Sequence, residues 1–516
     1  MPENPTGPTV SAVIVLAAGA GTRMRSAVPK VLHLIAGRPL LWHALSAAAA
    51  MRPEQVVAVI GHGREQVGEY LDQHHPEVRR AVQSEQLGTG HAVTCALTDA
   101  GQVEGTVLVT YGDVPLLTAE TLKALVTEHQ RAGNAVTVLT AVLDDAAGYG
   151  RIVRDAEGGL ASIVEHRDAD DEQRRIREIN SGIYAFDGVV LTDALGRLTS
   201  ANAQGERYLT DVVVIARGDG HRVGTLVTGD AAETEGVNDR VQLADLSRRL
   251  NARLVRRAQL SGVTVLDPAS TWIHTDVQVG PDTVLLPGTS LEAGSVIGSG
   301  CTIGPETTLS DCRVADGATV LRSHCTGATI GADVTVGPYS FLRAGAELGA
   351  RSKAGAFVEI KKSSIGAGSK VPHLSYIGDA TIGPGTNIGA GTITANYDGD
   401  SKFPTTIGEN VFVGSDSTLV APVSLRDGAY VAAGSTVTDD VDPGDLAVAR
   451  GRQRAVKGWV LRRRPDSAAA RSALTAGAVP EPELPPQDAI APDGRQNSAT
   501  RASVADSEVS GEDLPA

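Results

Sequence analysis

From residue 262 onward, aliphatic residues return at every sixth position, and this period constrains the fold more than any other feature of the chain. Small and turn-forming residues stand between them, and glycine often follows the aliphatic residue. The period predicts a parallel β-helix in which three hexads complete one triangular coil and bury one aliphatic residue per side. The residues in phase are Ile273, Val279, Leu285, Leu291, Ile297, Ile303 and Leu309, then Ile330, Val336, Leu342 and Leu348, then Ile365, Val371 and Ile377, and finally Ile407, Val413, Leu419, Leu425, Val431 and Val437.

The period is interrupted between Ile388 and Ile407, at the segment GAGTITANYDGDSKFPTT. A solenoid can extrude a loop without losing its stacking, and insertions on solenoids tend to lie on the binding face. We therefore expect this extruded loop (389–406) to contribute to a binding site, with a neutral insertion as the alternative.

Residues 10–239 alternate short β-branched runs with helical patterns, which favours a mostly parallel sheet with helices on both faces. The predicted strands are VSAVIV, QVVAVI, TVLVT, AVTVLTAVL and GIYAF, and the predicted helices are LLWHALSAAAAM, GTGHAVTCALTDA and AETLKALVTEHQRA. A helical connector over 240–261 then leads into a β-helix domain at 262–464. We expect residues 1–9 to be disordered, and also 465–516, which are rich in Ala, Ser, Pro and acids without periodicity.

The composition excludes several classes of protein. A net charge of −15 and an aromatic content of 3% argue against a nucleic-acid partner, which calls for basic surfaces and stacking platforms. The four cysteines show no CxxC spacing, so we interpret them as reduced residues of a cytoplasmic protein. No signal peptide precedes the first strand and no apolar stretch reaches the ~20 residues of a membrane span, so no membrane partner is expected.

A glycine-rich loop, LAAGAGTRMRSAVPK at 16–30, joins the first predicted strand to a predicted helix. Its glycines would let backbone N–H groups approach an anion, while Arg23 and Lys30 add positive charge. A second Gly/Thr turn, QSEQLGTGHA, opens another helix, and Asp113 follows the strand TVLV, where a carboxylate suits Mg²⁺. The alternatives are a tight turn that requires glycine and an aspartate that caps the next turn.

These motifs, taken together and in order, resemble those of sugar-1-phosphate nucleotidyltransferases. The matching stretches are LAAGAGTRM, QLGTGHA, GDVPLL, GYGRIV, IVEHRDA, INSGIYAF, GERYLTD and GVNDRVQL. With the hexads behind them, residues 10–460 resemble the bacterial bifunctional family of N-acetylglucosamine-1-phosphate uridyltransferase/glucosamine-1-phosphate N-acetyltransferase. The resemblance implies a Rossmann-like mixed sheet followed by a left-handed β-helix, a homotrimer, and a product that feeds cell-wall synthesis.

The resemblance also implies roles for residues of the amino-terminal half. Leu16, Ala17, Ala18 and Gly19 would line the uridine nucleotide, with Arg23 and Lys30 as catalytic cations near its phosphates. Gln83, Gly88 and Thr89 match uracil-recognising positions, and Tyr111 lies in the family's YGD motif. Asp113 and Asn238 match Mg²⁺ ligands, and Gly150, Glu165, Asn180 and Asn238 match sugar contacts. Position 20 is Ala where some relatives carry Lys, and we expect little loss because Arg23 remains.

In the carboxyl-terminal half, the stretches FLRAGAELG, FVEIKKSSIG, KVPHLSYIGDA, GPGTNIGAGT, ANYDGDSKF and VFVGSDSTLVAPV resemble the acetyltransferase of the same family. His373 suits a general base because imidazole titrates near pH ~6.5, and Glu359 matches the residue that supports it. Arg343, Lys361, Tyr376 and Asn387 match contacts to glucosamine-1-phosphate. Ala390, Asn396, Tyr397, Ser415, Ala433 and Arg450 match acetyl-CoA positions.

The predicted function is acetylation of glucosamine-1-phosphate with acetyl-CoA, followed by UMP transfer from UTP to N-acetylglucosamine-1-phosphate with release of pyrophosphate. One alternative is a nucleotidyltransferase for another sugar or base, whose β-helix only regulates or oligomerises. The other is a nucleotide-sugar-binding scaffold without catalysis. Pro372, directly before His373, departs from relatives with a small residue there and is expected to stiffen the loop of the base.

Overall fold

The computed structural model describes residues 9–101 and 103–479, which divide into two compact units, 9–450 and 451–479. In the amino-terminal part of the first unit, the strands are β1 (Ala12–Ala17), β2 (Leu34–Ile35), β3 (Arg38–Pro39), β4 (Gln55–Ile60), β5 (Arg79–Val82), β6 (Thr106–Tyr111), β7 (Val136–Val142), β8 (Arg151–Arg154), β9 (Leu160–Val164), β10 (Glu178–Asp187) and β11 (Val223–Val227). The α-helices are α1 (Leu40–Ala49), α2 (Arg64–His74), α3 (Thr89–Ala100), α4 (Ala119–Ala132), α5 (Gly188–Gly196), α6 (Asp211–Gly218) and α7 (Arg240–Leu260). Short 3₁₀ turns span Thr22–Met24, Lys30–Leu32, Gln173–Arg175 and Ala231–Thr234.

Nine of these strands form one mixed sheet in the order β11-β7-β10-β6-β1-β4-β5, with β8 and β9 attached at β10. Strand β1 is parallel to both of its neighbours, whereas β10 runs antiparallel to β6 and β7. Successive side chains of β1 enter two different apolar clusters, one with α1, α2 and α4 and the other with α3, α5 and α6. The prediction of a sheet covered by helices on both faces is confirmed, and parallel strands β1, β4 and β6 bring their carboxyl ends to one edge.

Short strands continue the first unit from residue 264 to residue 447. They are, as β12 to β41 in chain order, Thr264–Val265, Trp272–Ile273, Gln278–Val279, Val284–Leu285, Ser290–Glu292, Val296–Ile297, Thr302–Ile303, Thr308–Ser310, Arg313–Val314, Thr319–Val320, His324–Thr326, Thr329–Ile330, Thr335–Val336, Phe341–Leu342, Ala346–Leu348, Lys353–Ala356, Glu359–Lys361, Ser363–Ile365, Lys370–His373, Tyr376–Gly378, Ala380–Ile382, Asn387–Ile388, Ile393–Ala395, Thr405–Ile407, Phe412–Val413, Thr418–Val420, Val423–Leu425, Tyr430–Val431, Thr436–Val437 and Leu446–Ala447.

These strands stack into three parallel sheets, each strand pairing with the third strand after it, except that β41 follows β39. The first sheet runs from β12 to β41, the second from β13 to β40, and the third from β14 to β38. The predicted hexad residues are buried between the sheets, and only Val279 near the start is partly exposed. The predicted left-handed parallel β-helix is therefore confirmed.

Small polar residues satisfy the backbone at the corners of the β-helix. The buried hydroxyl of Thr283, for example, donates to the carbonyl of Gly298 at 2.8 Å and accepts from the backbone N–H of Cys301 at 3.1 Å. Buried backbone groups need such partners, because leaving one unpaired costs about as much as a lost hydrogen bond. Cys301, Cys312 and Cys325 are buried free thiols in this domain, and Cys95 is partly exposed on α3.

The carboxyl-terminal boundary differs from the prediction in two ways. The last β-strand ends at Ala447 and the first unit at Arg450, so residues 451–464 lie in the second unit and not in the β-helix. The second unit contains α8 (Trp459–Arg463) and α9 (Ala468–Thr475), which corrects the expectation of disorder over 465–479. Helix α9 forms because Ser467 caps it by accepting from the N–H of Ala470 and because alanine favours helix.

The rest of the predicted disorder, at 1–8 and 480–516, lies outside the described residues. In the described ranges, no helix combines the length and apolar character that a membrane crossing requires.

Candidate active sites

A cavity of about 340 Å³ lies at the carboxyl ends of β1 and β6. Its lining includes most residues that the sequence predicted to hold a nucleotide, namely Leu16, Ala17, Ala18, Gly19, Lys30, Gln83, Gly88, Thr89, Tyr111, Asp113 and Asn238. Residues that the sequence analysis did not identify complete it, namely Val31, Gln86, Ala92 and Glu206. Parallel strands bring these distant segments together because ligands of such sheets bind where the strands end.

Two cation–oxygen contacts involve residues that line this first cavity, although Arg23 itself is not part of the lining. The ammonium of Lys30 pairs with the carboxylate of Asp113, and both side chains are largely buried. The guanidinium of Arg23 donates to the amide oxygen of Asn238 at 3.0 Å. The glycine-rich loop therefore directs Arg23 and Lys30 at the two oxygen donors predicted as metal ligands.

Side-chain amides shape the opposite wall of the cavity. Gln83 follows β5, is buried, and donates to the carbonyl of Gly88 at 3.1 Å. Gln86 donates to the carbonyl of Ala18 at 2.7 Å, which ties the second Gly/Thr turn to the glycine-rich loop. Gln86 is the first residue of the QLGTGHA match, but nothing in the motif marked it as a contact between the two loops.

The predicted sugar contacts gather beside Tyr111. A Cβ placed on Gly150 would lie 3.4 Å from Asn180 Cβ and 3.6 Å from a Glu165 carboxylate oxygen, so these three residues are neighbours. Gly182 has a φ of +80°, and a Cβ there would lie 2.3 Å from the Tyr111 ring, so the close approach requires glycine. Burial raises the pKa of the Tyr111 phenol, and the carboxylates of Glu165 and Asp113 raise it further.

Glu165 is an acid of this group whose environment opposes its charge. Burial raises the pKa of its carboxyl group, and the negative charges of Asp168, Asp211 and Glu206 act in the same direction. A carboxyl group in such surroundings can hold a proton and donate a hydrogen bond, as well as accept one.

A second group of predicted residues forms a column along one corner of the β-helix. Lys370 pairs with Asn387, Ile388 with Val413, and Val413 with Val431, which fixes the register of four successive coils. The residues His373, Ala390, Ser415 and Ala433 therefore hold equivalent positions one above another. Arg450 donates from its guanidinium to the carbonyl of Ala433 at 2.8 Å and so reaches the end of this column.

The adjacent second sheet carries Lys361 and Tyr376, with Arg343 directly after its strand β25, whereas the fourth predicted sugar contact, Asn387, lies on β33 of the first sheet. Glu359 and Tyr376 are direct register partners, and the N–H of Arg343 bonds to the carbonyl next to Lys361. Glu359 accepts from the Arg343 guanidinium at 3.0 Å. The Glu359 carboxylate is thus hydrogen-bonded to Arg343. In the described part of the chain, no hydrogen bond reaches the imidazole of the exposed His373. The expected contact between Glu359 and His373 is therefore not seen.

Asp379 ties the extruded loop to the second sheet, and the sequence analysis did not identify it although it ends the motif SYIGD. Its carboxylate accepts from the side-chain amide of Asn396 and lies 3.7 Å from the ammonium of Lys361. Tyr397 pairs with Lys402 across the loop, which places the Lys402 ammonium beside that of Lys361 and lowers the pKa of Lys402. Two neighbouring ammonium groups repel each other, so this position suits an anion.

Comparisons with known proteins agree with this two-part arrangement. The MobA-like NTP transferase domain family matches residues 13–178, and the hexapeptide repeat of succinyl-transferase matches residues 404–439. The bifunctional protein GlmU of Streptomyces avermitilis is 55% identical over 475 residues, covering 92% of this chain and 98% of the relative. That of Streptomyces coelicolor is 57% identical over 90% of this chain and 96% of the relative, and that of Corynebacterium glutamicum is 54% identical over 90% and 97%. The chain therefore belongs to the GlmU family of bifunctional proteins.

Proposed function

We propose that this chain acetylates glucosamine-1-phosphate with acetyl-CoA and then joins the N-acetylglucosamine-1-phosphate to UTP, giving UDP-N-acetylglucosamine and pyrophosphate. The observation that carries the proposal is the presence of two separate chemical sites on one chain of this family. One is the cation-lined cavity at the edge of the mixed sheet, and the other is the column of residues that begins at His373.

In the uridyltransferase reaction, an oxygen of the sugar phosphate attacks the α-phosphorus of UTP and pyrophosphate leaves. Two anions must meet, so positioning and charge neutralisation supply most of the catalysis, and no protein nucleophile is required. We assign the neutralisation to Arg23 and Lys30. Gln83 and Thr89 would hold the base, and Gly150, Glu165 and Asn180 would hold the acetylated sugar.

The oxygens of Asp113 and Asn238 fit a magnesium ion. They are hard donors, and each already contacts a cationic side chain, Asn238 that of Arg23 and Asp113 that of Lys30, so both could hold the ion. Mg²⁺ commonly uses one or two carboxylates plus substrate phosphates, so a cluster of three acidic or imidazole ligands is not needed. When bound, the ion would neutralise charge on the phosphates, while Lys30 would be released from Asp113 toward the substrate.

In the acetyltransferase reaction, the substrate amine must lose a proton to attack the thioester. We propose that the His373 imidazole accepts this proton as general base. His373 is exposed at the corner between the first and second sheets. Arg343, Lys361 and Lys402 would bind the sugar phosphate, with Tyr376 and Asn387 on the sugar. The coenzyme would lie along Ala390, Ser415 and Ala433 toward Arg450, with Asn396 and Tyr397 of the extruded loop beside it.

The proposal includes a homotrimer, a cytoplasmic location where UTP and acetyl-CoA are available, and domains at 10–239, 240–261 and 262–450. Light scattering should give a mass of about three times 53.3 kDa. A monomer or dimer would contradict the trimer without affecting the two reactions.

The test is one incubation with glucosamine-1-phosphate, acetyl-CoA, UTP and Mg²⁺, followed by mass spectrometry with each substrate omitted in turn. UDP-N-acetylglucosamine should form only from the complete mixture, and free CoA should appear without UTP. Formation of a UDP-sugar from N-acetylglucosamine-1-phosphate without any CoA release from glucosamine-1-phosphate would contradict the bifunctional proposal.

Two variants assign the reactions to their sites. Asp113→Asn should abolish UDP-sugar formation and leave CoA release unchanged, and His373→Ala should do the reverse. If neither substitution reduces turnover, the assigned residues are wrong even where both reactions occur.

A further inference from the structure

The hairpin β2–β3 lies directly after the glycine-rich loop and touches the first coil of the β-helix. The N–H of Thr275 donates to the carbonyl of Ala36, at the tip of the hairpin, at 3.0 Å. Gly37 has a φ of +81°, and a Cβ there would lie 2.3 Å from the His274 ring. Arg38 pairs with the carboxylate of Asp276 at 2.5 Å. The hairpin, which begins four residues after Lys30, is therefore held against the β-helix domain.

Helix α7 fixes that first coil in place. Asn251 is buried in the helix, donates to the carbonyl of Thr271 at 2.7 Å and accepts from the N–H of Ile273 at 3.0 Å. Leu254 and Val255 on the same helix enter the apolar core of the β-helix. The first coil therefore cannot move relative to α7 without breaking buried hydrogen bonds, which are costly to leave unmade.

The amino-terminal half of α7 reaches the loop that carries Arg23 and Lys30. Arg240 donates to the carbonyl of Met24 at 3.4 Å. Met24, Ile35 and Leu246 are buried in one small apolar cluster, which joins the glycine-rich loop, the hairpin and α7. The loop is thus held by α7 directly and by the first coil only through the hairpin β2–β3.

From these contacts we infer that His274 and Asp276 of the β-helix are positioning residues for the uridyltransferase site, acting through Gly37 and Arg38 on the loop that carries Lys30. Neither residue lines the nucleotide cavity. The inference rests on the proposed function, since it concerns the geometry of that reaction.

The two contacts should not contribute equally. Arg38 and Asp276 are each at least one-third exposed, and an exposed ion pair contributes little. The Gly37–His274 contact is much tighter, because it leaves no room for a single added carbon. Catalysis depends strongly on placement, and a displacement of ~1 Å can cost a factor of ~100 in rate.

The main test is Gly37→Ala in the full-length chain, with steady-state kinetics for UTP and for acetyl-CoA. The added methyl group should push the hairpin from His274 and lower kcat/KM for UTP by about 10- to 100-fold. CoA release should stay at the unsubstituted rate, which also shows that the variant is folded. Gly133→Ala is the matched control, because Gly133 at the end of α4 also has a positive φ, +62°, but a Cβ there meets nothing within 4 Å.

Removing the opposing ring separates positioning from backbone strain. The double variant Gly37→Ala/His274→Ala should regain kcat/KM for UTP only up to the reduced level of His274→Ala alone, because the clash is relieved while the positioning contact stays lost. Asp276→Ala should raise KM for UTP by about two- to fivefold, and Asp276→Glu should restore it. Kinetics equal to the unsubstituted chain for Gly37→Ala, or no recovery in the double variant, would overturn the inference. Absence of UDP-sugar formation by the unsubstituted chain would instead overturn the proposed function.

Discussion

At the scale of single residues, Glu165, among the predicted sugar contacts, has an environment that opposes its charge. Glu165 is shielded from water and faces the carboxylates of Asp168, Asp211 and Glu206, so the pKa of its carboxyl group is raised. A carboxylate oxygen of Glu165 would lie 3.6 Å from a Cβ added at Gly150, where the sugar is proposed to bind. The matched motifs contain Glu165 and all three neighbouring acids, Asp168 in IVEHRDA and Glu206 and Asp211 in GERYLTD, but only folding brings the second motif beside the first.

The raised pKa of Glu165 predicts how stability depends on pH. Between the ordinary glutamate pKa near 4.5 and the raised value, the folded chain keeps a proton that the unfolded chain has lost. Stability therefore falls as pH rises through this window and stays lower above it. Glu165→Gln should raise the melting temperature more at pH 7.5 than at pH 4. Glu157→Gln, at an exposed position, is the control, and equal pH profiles for the two variants would contradict the prediction.

At the scale of secondary-structure elements, the sequence was most informative where apolar periods are regular. The predicted helix over 119–132 is α4 with the same bounds, because Thr118 caps it by accepting from the N–H of Thr121 at 3.2 Å and Gly133 ends it. The Val, Ile and Leu residues predicted from the hexad period do face inward and are buried, with Val279 partly exposed. The irregular stretches were not predictable, because Cys325, Ala354 and Thr394 take inward positions there and corners are shortened by one residue.

The mixed sheet shows a similar limit. The run GIYAF indicates a strand, but its direction follows from pairing with β6 and β7, which no local pattern encodes. The register of β10 shifts between Asn180 and Tyr184, and Gly182 within that shift packs on Tyr111. The sugar-side geometry of the cavity depends on this irregularity and could not be predicted from the sequence.

The β-helix makes a matched pair of variants available on one strand. Leu348 on β26 is buried between Ile330 and Ile365, whereas the adjacent Glu347 is exposed. Leu348→Ala should lower the free energy of unfolding by about 2–5 kcal/mol, because it removes buried apolar contacts and leaves a cavity. Glu347→Ala should change it by less than about 0.5 kcal/mol in urea denaturation. Similar losses for both variants would show that the stack does not depend on inward packing.

At the scale of the whole molecule, the two proposed sites share no secondary-structure element. Asp113 follows β6 of the mixed sheet, and His373 ends β30 of the β-helix. Each reaction should therefore tolerate loss of the other, provided that the contacts between hairpin β2–β3 and the first coil remain intact.

An equimolar mixture of the Asp113→Asn and His373→Ala variants should convert glucosamine-1-phosphate, acetyl-CoA and UTP into UDP-N-acetylglucosamine. The acetylated sugar phosphate is a charged, water-soluble intermediate that can diffuse from one chain to another. Mass spectrometry over time measures the conversion, and each variant alone is the control. A mixture that accumulates N-acetylglucosamine-1-phosphate without UDP-sugar would contradict free exchange of the intermediate.

Only 396–404 of the predicted extruded loop (389–406) lies outside the stacked coils, because the chain leaves the β-helix after β34 and returns at β35. The stacking of Ile382 on Ile407 and of Thr394 on Leu419 is intact. The anchor of the loop is the Asn396–Asp379 contact on the outer face, away from the apolar interior. The chain can thus change the length and composition of this segment without altering the core on either side. Changes in this segment should therefore alter substrate preference at the proposed acetyltransferase site without a cost in core packing.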